Sequence, residues 1–272
     1  MRNIRMTIAY DGTNFHGWQR QQNAITVQEV LEETLSTVLK APTAVVGAGR
    51  TDAGVHAKTY TCNFKTDCAI PVEKVPFALN ALLPEGITVL DATEADADFH
   101  ARFSAIGKHY RYRILNSRHP DPFEGRYAFF YPQELDIQKM QTAAKDLLGT
   151  HDFSAFCSAG ATTKTSVRTI YQAEVVKSGD LITLDLYGNG FLYNMVRIIT
   201  GTLIYIGNGK LPADCIPQLI AEQKRKESGI TVPPQGLFFM EAYYEQESAP
   251  DSFRNFDSDH SLLRPVASEQ VE

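Results

Sequence analysis

The chain has 272 residues, of which 43% are hydrophobic and 21% are charged, a composition typical of a globular protein with one large or two small domains. No apolar run approaches the roughly 18 residues that a membrane-spanning helix needs, and the first residues lead into an amphipathic segment. We therefore expect no membrane span, no signal peptide and a cytoplasmic location. The cysteines have no metal-binding spacing, so we expect reduced thiols and no zinc site. They are Cys62, Cys68, Cys157 and Cys215.

The net charge of −6 argues at first against a nucleic-acid partner, but the charge is unevenly distributed. Residues 245–272 contain seven acidic and two basic side chains, a net charge of −5, which leaves −1 for the rest of the chain. Phosphate binding requires a local basic stripe and not a basic protein. Such a stripe lies in residues 102–118, which contain no acid and five cations: Arg102, Lys108, Arg111, Arg113 and Arg118.

Periodicity in the first part of the chain predicts two helices and about four strands. Residues 4–8 alternate apolar and polar side chains, which is typical of a half-buried strand. Thr26 and Glu29 form a capping box, and apolar residues then recur at helical spacing through residue 39. We expect residues 1–104 to form an N-terminal α+β half. Its other elements are predicted at residues 45–46, 60–64 and 87–90 for strands and 71–83 for a helix.

The second part of the chain contains a similar mixture of elements, without a usable sequence repeat. We expect residues 105–245 to form a C-terminal α+β half, with a loop at 151–156. The acidic, non-periodic residues 246–272 are predicted to be a disordered tail. Strands are predicted at 108–114, 127–131, 167–177, 181–187 and 236–240, and helices at 136–148, 191–206 and 212–226.

A glycine-rich loop follows the apolar residues at 45–46. Gly47, Gly49 and Gly54 frame one cation, Arg50, and one carboxylate, Asp52. The spacing fits neither the dinucleotide fingerprint nor a Walker loop. Loops on a rigid scaffold are common places for binding and catalysis. An ordinary turn with a structural ion pair is the alternative interpretation.

Residues 108–114 alternate strictly, so that Tyr110 and Tyr112 share one face of a strand with Lys108, and Arg111 and Arg113 share the other. Two interpretations fit this pattern. The segment is either an ordinary half-exposed strand or an RNA-binding stripe, in which a ring stacks on a base and cations hold phosphates.

The predicted helix at 191–206 is apolar nearly all round and contains a single cation, Arg197. Such a helix is expected to be buried. A buried arginine is costly unless a carboxylate pairs with it. We therefore expect a loop to bring a carboxylate to Arg197.

The string Gly-Arg-Thr-Asp-Ala-Gly-Val-His at residues 49–56 resembles the active-site loop of the TruA family of tRNA pseudouridine synthases. The resemblance covers about residues 3–244 in order, although residues 228–235 match only loosely. Trp18, in one of the shorter matches, is interpreted as an aromatic packing anchor. The shorter matches lie at residues 10–12, 17–19, 98–105 and 195–197.

This resemblance implies an α+β fold of two similar halves, whose antiparallel sheets adjoin and whose active site lies in the cleft between them. It implies an isomerase that converts uridine to pseudouridine at positions 38 to 40 of the tRNA anticodon stem-loop. It also implies a homodimer that uses neither a cofactor nor a metal.

The resemblance further implies a role for individual side chains. Asp52 is the catalytic carboxylate, acting as a nucleophile or as a base on the sugar. Arg197 pairs with Asp52 and keeps it ionised. Tyr110 stacks on the uracil and offers its hydroxyl for proton transfer. Arg50 fills the space that a flipped base leaves in the RNA. The expected RNA-binding residues are Tyr110, Arg50, Arg111 and Arg113.

Two other functions compete with this interpretation. A non-catalytic RNA-binding protein would use the basic strand alone, and would depend on Arg111 and Arg113 but not on Asp52. A carboxylate-dependent hydrolase would need a second acid beside Asp52, for which Asp11 and Asp152 are the candidates.

Overall fold

The computed structural model describes residues 1–160, 163–245 and 249–250, so the predicted tail falls almost wholly outside the described residues. Within them, no helix is long and apolar enough to cross a membrane. The strands are β1 (Arg2–Tyr10), β2 (Val46–Gly47), β3 (His56–Thr66), β4 (Ile87–Ala95), β5 (Gly107–Leu115), β6 (Phe129–Phe130), β7 (Gly149–Asp152), β8 (Val167–Ser178), β9 (Leu181–Gly188) and β10 (Leu237–Tyr243). The helices are α1 (Val27–Leu39), α2 (Val75–Asn80), α3 (Ile137–Lys145), α4 (Met195–Gly207) and α5 (Cys215–Glu222).

All of these strands belong to one sheet with the order β4-β1-β3-β10-β5-β9-β8-β7, to which β2 adds beside β3 and β6 beside β5. The strands of the two halves meet at β10, which pairs parallel to β3 and antiparallel to β5. The predicted mixed α/β fold with adjoining sheets is therefore confirmed. The junction itself is a parallel pair, whereas the other long pairs are antiparallel.

The strict alternation in β5 places its side chains on two different surfaces. Tyr110, Tyr112 and Ile114 are buried in one continuous core that also contains residues of α1 and α4. Arg111 and Arg113 point to the opposite face, since successive residues of a strand alternate in direction. The helix-covered face of the sheet therefore includes Tyr110, and the arginines lie behind it.

Two helix starts are decided by single residues. Thr26 caps α1 as predicted, because its Oγ1 accepts a hydrogen bond from the Glu29 N–H at 3.3 Å. The predicted helix at 191–206 begins four residues late, at Met195. Asn194 has a φ of +61°, a left-handed conformation that an α-helix cannot include. Arg197 consequently lies in the first turn of α4 and not in its middle.

Other predicted elements also differ in extent. The helix at 71–83 is reduced to α2 after a short 3-10 turn, and the strand at 127–131 is reduced to β6. The helix at 212–226 ends as α5 because Gln223 adopts a left-handed φ of +56°. The loop at 151–156 begins with β7, which pairs with the edge of β8.

Residues 228–236, here called the strap, run from the short 3-10 turn that follows α5 across α4 to β10. The Gly229 N–H donates to Thr202 Oγ1 at 2.9 Å. Gly201 of α4 lies directly against the strap, since a Cβ built there would be 2.0 Å from the Ile230 carbonyl oxygen. The backbones of helix and strap thus approach each other without room for a side chain.

We predict that Gly201→Ala destabilises the protein. Alanine is favoured over glycine within a helix by about 1 kcal/mol, so a helix free of the strap would be stabilised. Here the added methyl meets backbone, and overpacking of this kind costs about 1 to 3 kcal/mol. The free energy of unfolding in urea should therefore decrease. Thr37→Ala, on the exposed surface of α1, is the control. An unchanged or higher urea midpoint of unfolding for Gly201→Ala would contradict the close approach of α4 to the strap.

Candidate active site

The glycine loop, residues 47–54, connects β2 to β3 and is held by the segment that follows β1. The Thr51 carbonyl accepts a hydrogen bond from the Trp18 N–H at 3.2 Å, and Thr51 Oγ1 lies 2.9 Å from the Tyr10 hydroxyl. Gly17 has a φ of +84°, and a Cβ there would be 2.4 Å from the Thr51 carbonyl oxygen. Close backbone packing therefore orients the residue that precedes Asp52.

A buried aromatic pair supports the glycine loop from the core of the protein. The rings of Trp18 and Tyr60 are 4.3 Å apart, and both side chains are buried. The Tyr60 hydroxyl accepts from the Gly49 N–H at 3.2 Å and donates to the Gly49 carbonyl. Trp18 is thus a packing anchor, as predicted, and the aromatic residues of this region serve to position the glycine loop.

Asp52 and Arg197, which are 145 positions apart in the chain, form an ion pair in which Oδ2 lies 3.1 Å from Nη1. Their side chains are 28% and 15% exposed, so that the pair is partly shielded from solvent. Arg197 Nε also donates to the Val232 carbonyl at 2.7 Å, and Nη1 donates to Asn194 Oδ1 at 2.7 Å. These contacts orient the guanidinium toward the glycine loop.

The strap supplies backbone acceptors to three parts of the site. Besides the Val232 carbonyl, the Pro233 carbonyl accepts from the Tyr112 hydroxyl at 2.6 Å. The Gln235 carbonyl lies 3.2 Å from His56 Nε2, at the start of β3. The strap therefore connects α4, β5 and the residues just after the glycine loop.

His56 is a buried structural residue in this arrangement. Its Nδ1 lies 3.1 Å from the Gly12 nitrogen, and its Nε2 lies 3.2 Å from the Gln235 carbonyl oxygen. Burial lowers the pKa of His56, although the Asp11 carboxylate 3.1 Å from Nδ1 opposes that shift. His56 thus fixes the end of the glycine loop against the strap.

Tyr110 lies beside the ion pair with its ring enclosed by aromatic edges. The ring centroids of Phe191 and Phe239 are 4.9 and 5.2 Å away, both in T-shaped geometry. Burial raises the pKa of Tyr110, and the charge of Asp52 raises it further. Among the described residues no group hydrogen-bonds to the Tyr110 hydroxyl. The site therefore holds a protonated phenol that is free to contact a ligand.

The arginines predicted to bind RNA are distributed over two surfaces. Arg50 is exposed on the glycine loop, two positions from Asp52. Arg111 and Arg113 lie on the opposite face of the sheet, paired with Asp185 and Glu124 at 2.8 and 2.6 Å. The structure therefore brings Arg50 to the site but does not bring Arg111 or Arg113 there.

Neither Asp11 nor Asp152, the two candidates for the second acid of a hydrolase, lies beside Asp52. Asp11 pairs with Arg126 at 2.8 Å, beside the arginines on the far face of the sheet. Asp152 accepts from the Ser154 N–H at 2.9 Å in its own turn. Across the described part of the chain, no three His, Cys, Asp or Glu side chains are grouped as metal ligands.

Several residues that shape the site escaped the sequence analysis. Asn194 orients Arg197 through its side-chain oxygen, and the strap orients Arg197 through the Val232 carbonyl. The only signal was the sequence Pro233-Pro234 just before a strand, which favours an extended segment. Backbone carbonyls are present at every residue, so their use as acceptors leaves no pattern.

Comparison with known proteins identifies related sequences over most of the chain. Residues 6–104 and 143–245 match the sequence model of a family described as tRNA pseudouridine synthase. Asp52 and Arg197 fall within the matched segments, whereas Tyr110 lies in the gap between them.

Individual relatives match at nearly full length. A protein of Acetivibrio thermocellus named tRNA pseudouridine synthase A is 47% identical over 244 residues, which are 90% of this chain and 100% of that protein. A protein of the same name from Ruminiclostridium cellulolyticum is 49% identical over 245 residues, with the same coverage. A solved archaeal box H/ACA sRNP Nop10-Cbf5 complex aligns weakly, with a TM-score of 0.36 and 9% identity over 74% of this chain and 44% of that one. The chain belongs to the tRNA pseudouridine synthase family.

Proposed function

We propose that this protein is a tRNA pseudouridine synthase, an isomerase that converts uridine to pseudouridine. Membership of the family supports the activity. The observation that carries the assignment of the site is the ion pair between Asp52 and Arg197, formed beside a protonated tyrosine in a partly enclosed position.

The proposed reaction is a rearrangement within one nucleotide. The bond between uracil N1 and the sugar C1′ breaks, the base rotates, and a bond forms between C5 and C1′. The hydrogen on C5 is lost to solvent and N1 gains one, so that atoms and electrons balance. No oxidant, reductant or energy source is consumed, and the proposal includes no cofactor or metal.

In this proposal Asp52 is the residue that acts on the sugar, as a nucleophile or as a base. Arg197 pairs with the carboxylate and orients it, and a group held in place does not need to reorganise during the reaction. The ring of Tyr110 stacks on the uracil, and its hydroxyl donates a proton or a hydrogen bond. Arg50 occupies the position that the flipped nucleotide vacates.

The finer substrate assignment follows the family resemblance. We propose that the target uridines lie at positions 38 to 40 of the anticodon stem-loop, that the enzyme is a homodimer and that it is cytoplasmic. The exposure of Arg50 at the rim of the site is consistent with an RNA duplex from which a base has been rotated.

Asp52→Ala should abolish the reaction while tRNA binding persists. Incubation with tRNA that carries C5-tritiated uridine should release tritium to water with the unaltered protein, and more than about 100-fold more slowly with the variant. Binding should persist because Asp52 is an anion and therefore does not hold the RNA phosphates. The measurement is the rate of tritium release alongside the Kd for the same tRNA.

Asp152→Asn provides the matched control, since it changes a carboxylate that lies outside the site but keeps the acceptor for the Ser154 N–H. It should release tritium at the normal rate. Equal release by the unaltered protein and Asp52→Ala would remove Asp52 from the mechanism. Absence of release by both, with binding intact, would favour the non-catalytic RNA-binding protein.

Tyr110→Phe should separate stacking from proton transfer. The variant keeps the ring between Phe191 and Phe239 but lacks the hydroxyl. We expect kcat to decrease by about 100-fold, a typical contribution of general acid–base catalysis, with little change in KM. Tyr205→Phe is the control, because Tyr205 lies in α4 away from the ion pair. A normal kcat for Tyr110→Phe would limit Tyr110 to stacking.

RNA binding by Arg111 and Arg113 stays part of the proposal, and it would require the tRNA to contact a second surface. We predict that Arg50→Ala raises KM more than Arg113→Ala. Arg50 is exposed beside Asp52, whereas Glu124 already neutralises Arg113. KM for tRNA, measured at several salt concentrations, tests the order. A larger effect of Arg113→Ala would place the main RNA contact on the far face of the sheet.

A further inference from the structure

Lys108 is a cation on the Tyr110 face of β5 that has no carboxylate partner among the described residues. Its neighbours on the adjacent strands are Gly188 and Ala242, which carry no charge. The side chain is only partly exposed, and its ammonium has no hydrogen-bond partner among the described residues. A half-buried ammonium without an anion is an unusual feature in a packed wall.

The ammonium lies against the glycine loop. A Cβ built on Gly49 would be 3.1 Å from Lys108 Nζ, so the cation lies over the part of the loop that leads to Asp52. On the strand, Lys108 is two residues from Tyr110 and on the same face, a separation of about 6.7 Å. The distance from a base to the phosphate of its own nucleotide is of this order.

The charges around Lys108 are positive. Burial, together with the positive charges of Arg102 and Arg168, lowers its pKa to about 8. Arg168 donates to the carbonyls of Thr165 and Val167. Neither Arg102 nor Arg168 forms an ion pair with a carboxylate in the described structure. A lysine ammonium that has only positive charges acting on it suits an anion as its partner.

We propose that Lys108 binds the RNA backbone phosphodiester next to the target uridine. This inference rests on the proposed function. The uracil itself is neutral, so the phosphodiester is the anion that the substrate offers, and a lysine ammonium suits it as a compact point charge. A desolvated cation destabilises the free protein, and an incoming phosphate removes that penalty.

The test uses an anticodon stem-loop RNA and proteins that also carry Asp52→Ala, so that no turnover occurs. Lys108→Met keeps the length of the side chain without its charge, Lys108→Arg keeps the charge, and Lys177→Ala removes an exposed lysine at the end of β8. Kd is measured between about 50 and 200 mM salt. The loss of one phosphate contact should reduce the slope of log K against log salt by about 0.7 to 0.9.

We expect Lys108→Met to raise Kd about tenfold at low salt and to show the reduced slope, because one fewer counter-ion is displaced. Lys108→Arg and Lys177→Ala should retain the original slope. As the pH rises from 7 to 8.5, the Kd of the protein with Lys108 should increase, because the ammonium loses its proton near pH 8. The Lys108→Arg protein should show no such change.

An unchanged salt slope for Lys108→Met would overturn the inference, as would an equal pH dependence in the Lys108→Arg protein. A structural role alone would change Kd without changing the slope. Failure of this inference is distinguishable from failure of the proposed function, because tritium release by the protein with Asp52 intact is measured separately. Tritium release together with an unchanged salt slope for Lys108→Met would support the synthase activity and contradict only the phosphate site.

Discussion

The ion pair between Asp52 and Arg197 is the contact on which the arrangement of the site depends. It joins a loop from the N-terminal half to a helix from the C-terminal half. Removal of one partner from a half-buried pair leaves an uncompensated charge, which makes the geometry of each side important. Each side has its own support, since Trp18 and Tyr10 hold the glycine loop and the Val232 carbonyl holds the guanidinium. The pair therefore joins two pieces that are already oriented.

Some of this arrangement was predictable because it leaves a local signature in the sequence. Thr26 and Glu29 are separated by the spacing of a capping box, and the cap forms. The alternation around Tyr110 predicted that its ring and the side chains of Arg111 and Arg113 lie on opposite faces of the strand. A single arginine in an apolar helix requires a carboxylate on energetic grounds, and the family resemblance of the glycine loop named Asp52 as that carboxylate. In each case a short pattern carries the information.

The rest depends on contacts that no short pattern encodes. Asn194 sets the start of α4. The residues before it, including Phe191, continue the apolar periodicity, so the pattern alone predicts a helix that begins too early. The strap acts through the carbonyls of Val232 and Pro233, and carbonyls have no sequence signature. The position of Arg111 behind the sheet depends on which face the helices cover, a choice made by the tertiary structure and not by the alternation.

The position of β10 also has a consequence for how the protein is made. The strand at Leu237–Tyr243 lies between β3 and β5, so the two halves of the sheet join only through a segment near the end of the described chain. During synthesis the earlier strands emerge first and domains fold as they appear. Until β10 leaves the ribosome, β3 and β5 present open edges that can pair with other chains. The nascent polypeptide therefore stays catalytically silent, and most exposed to aggregation, until the final strand closes the gap.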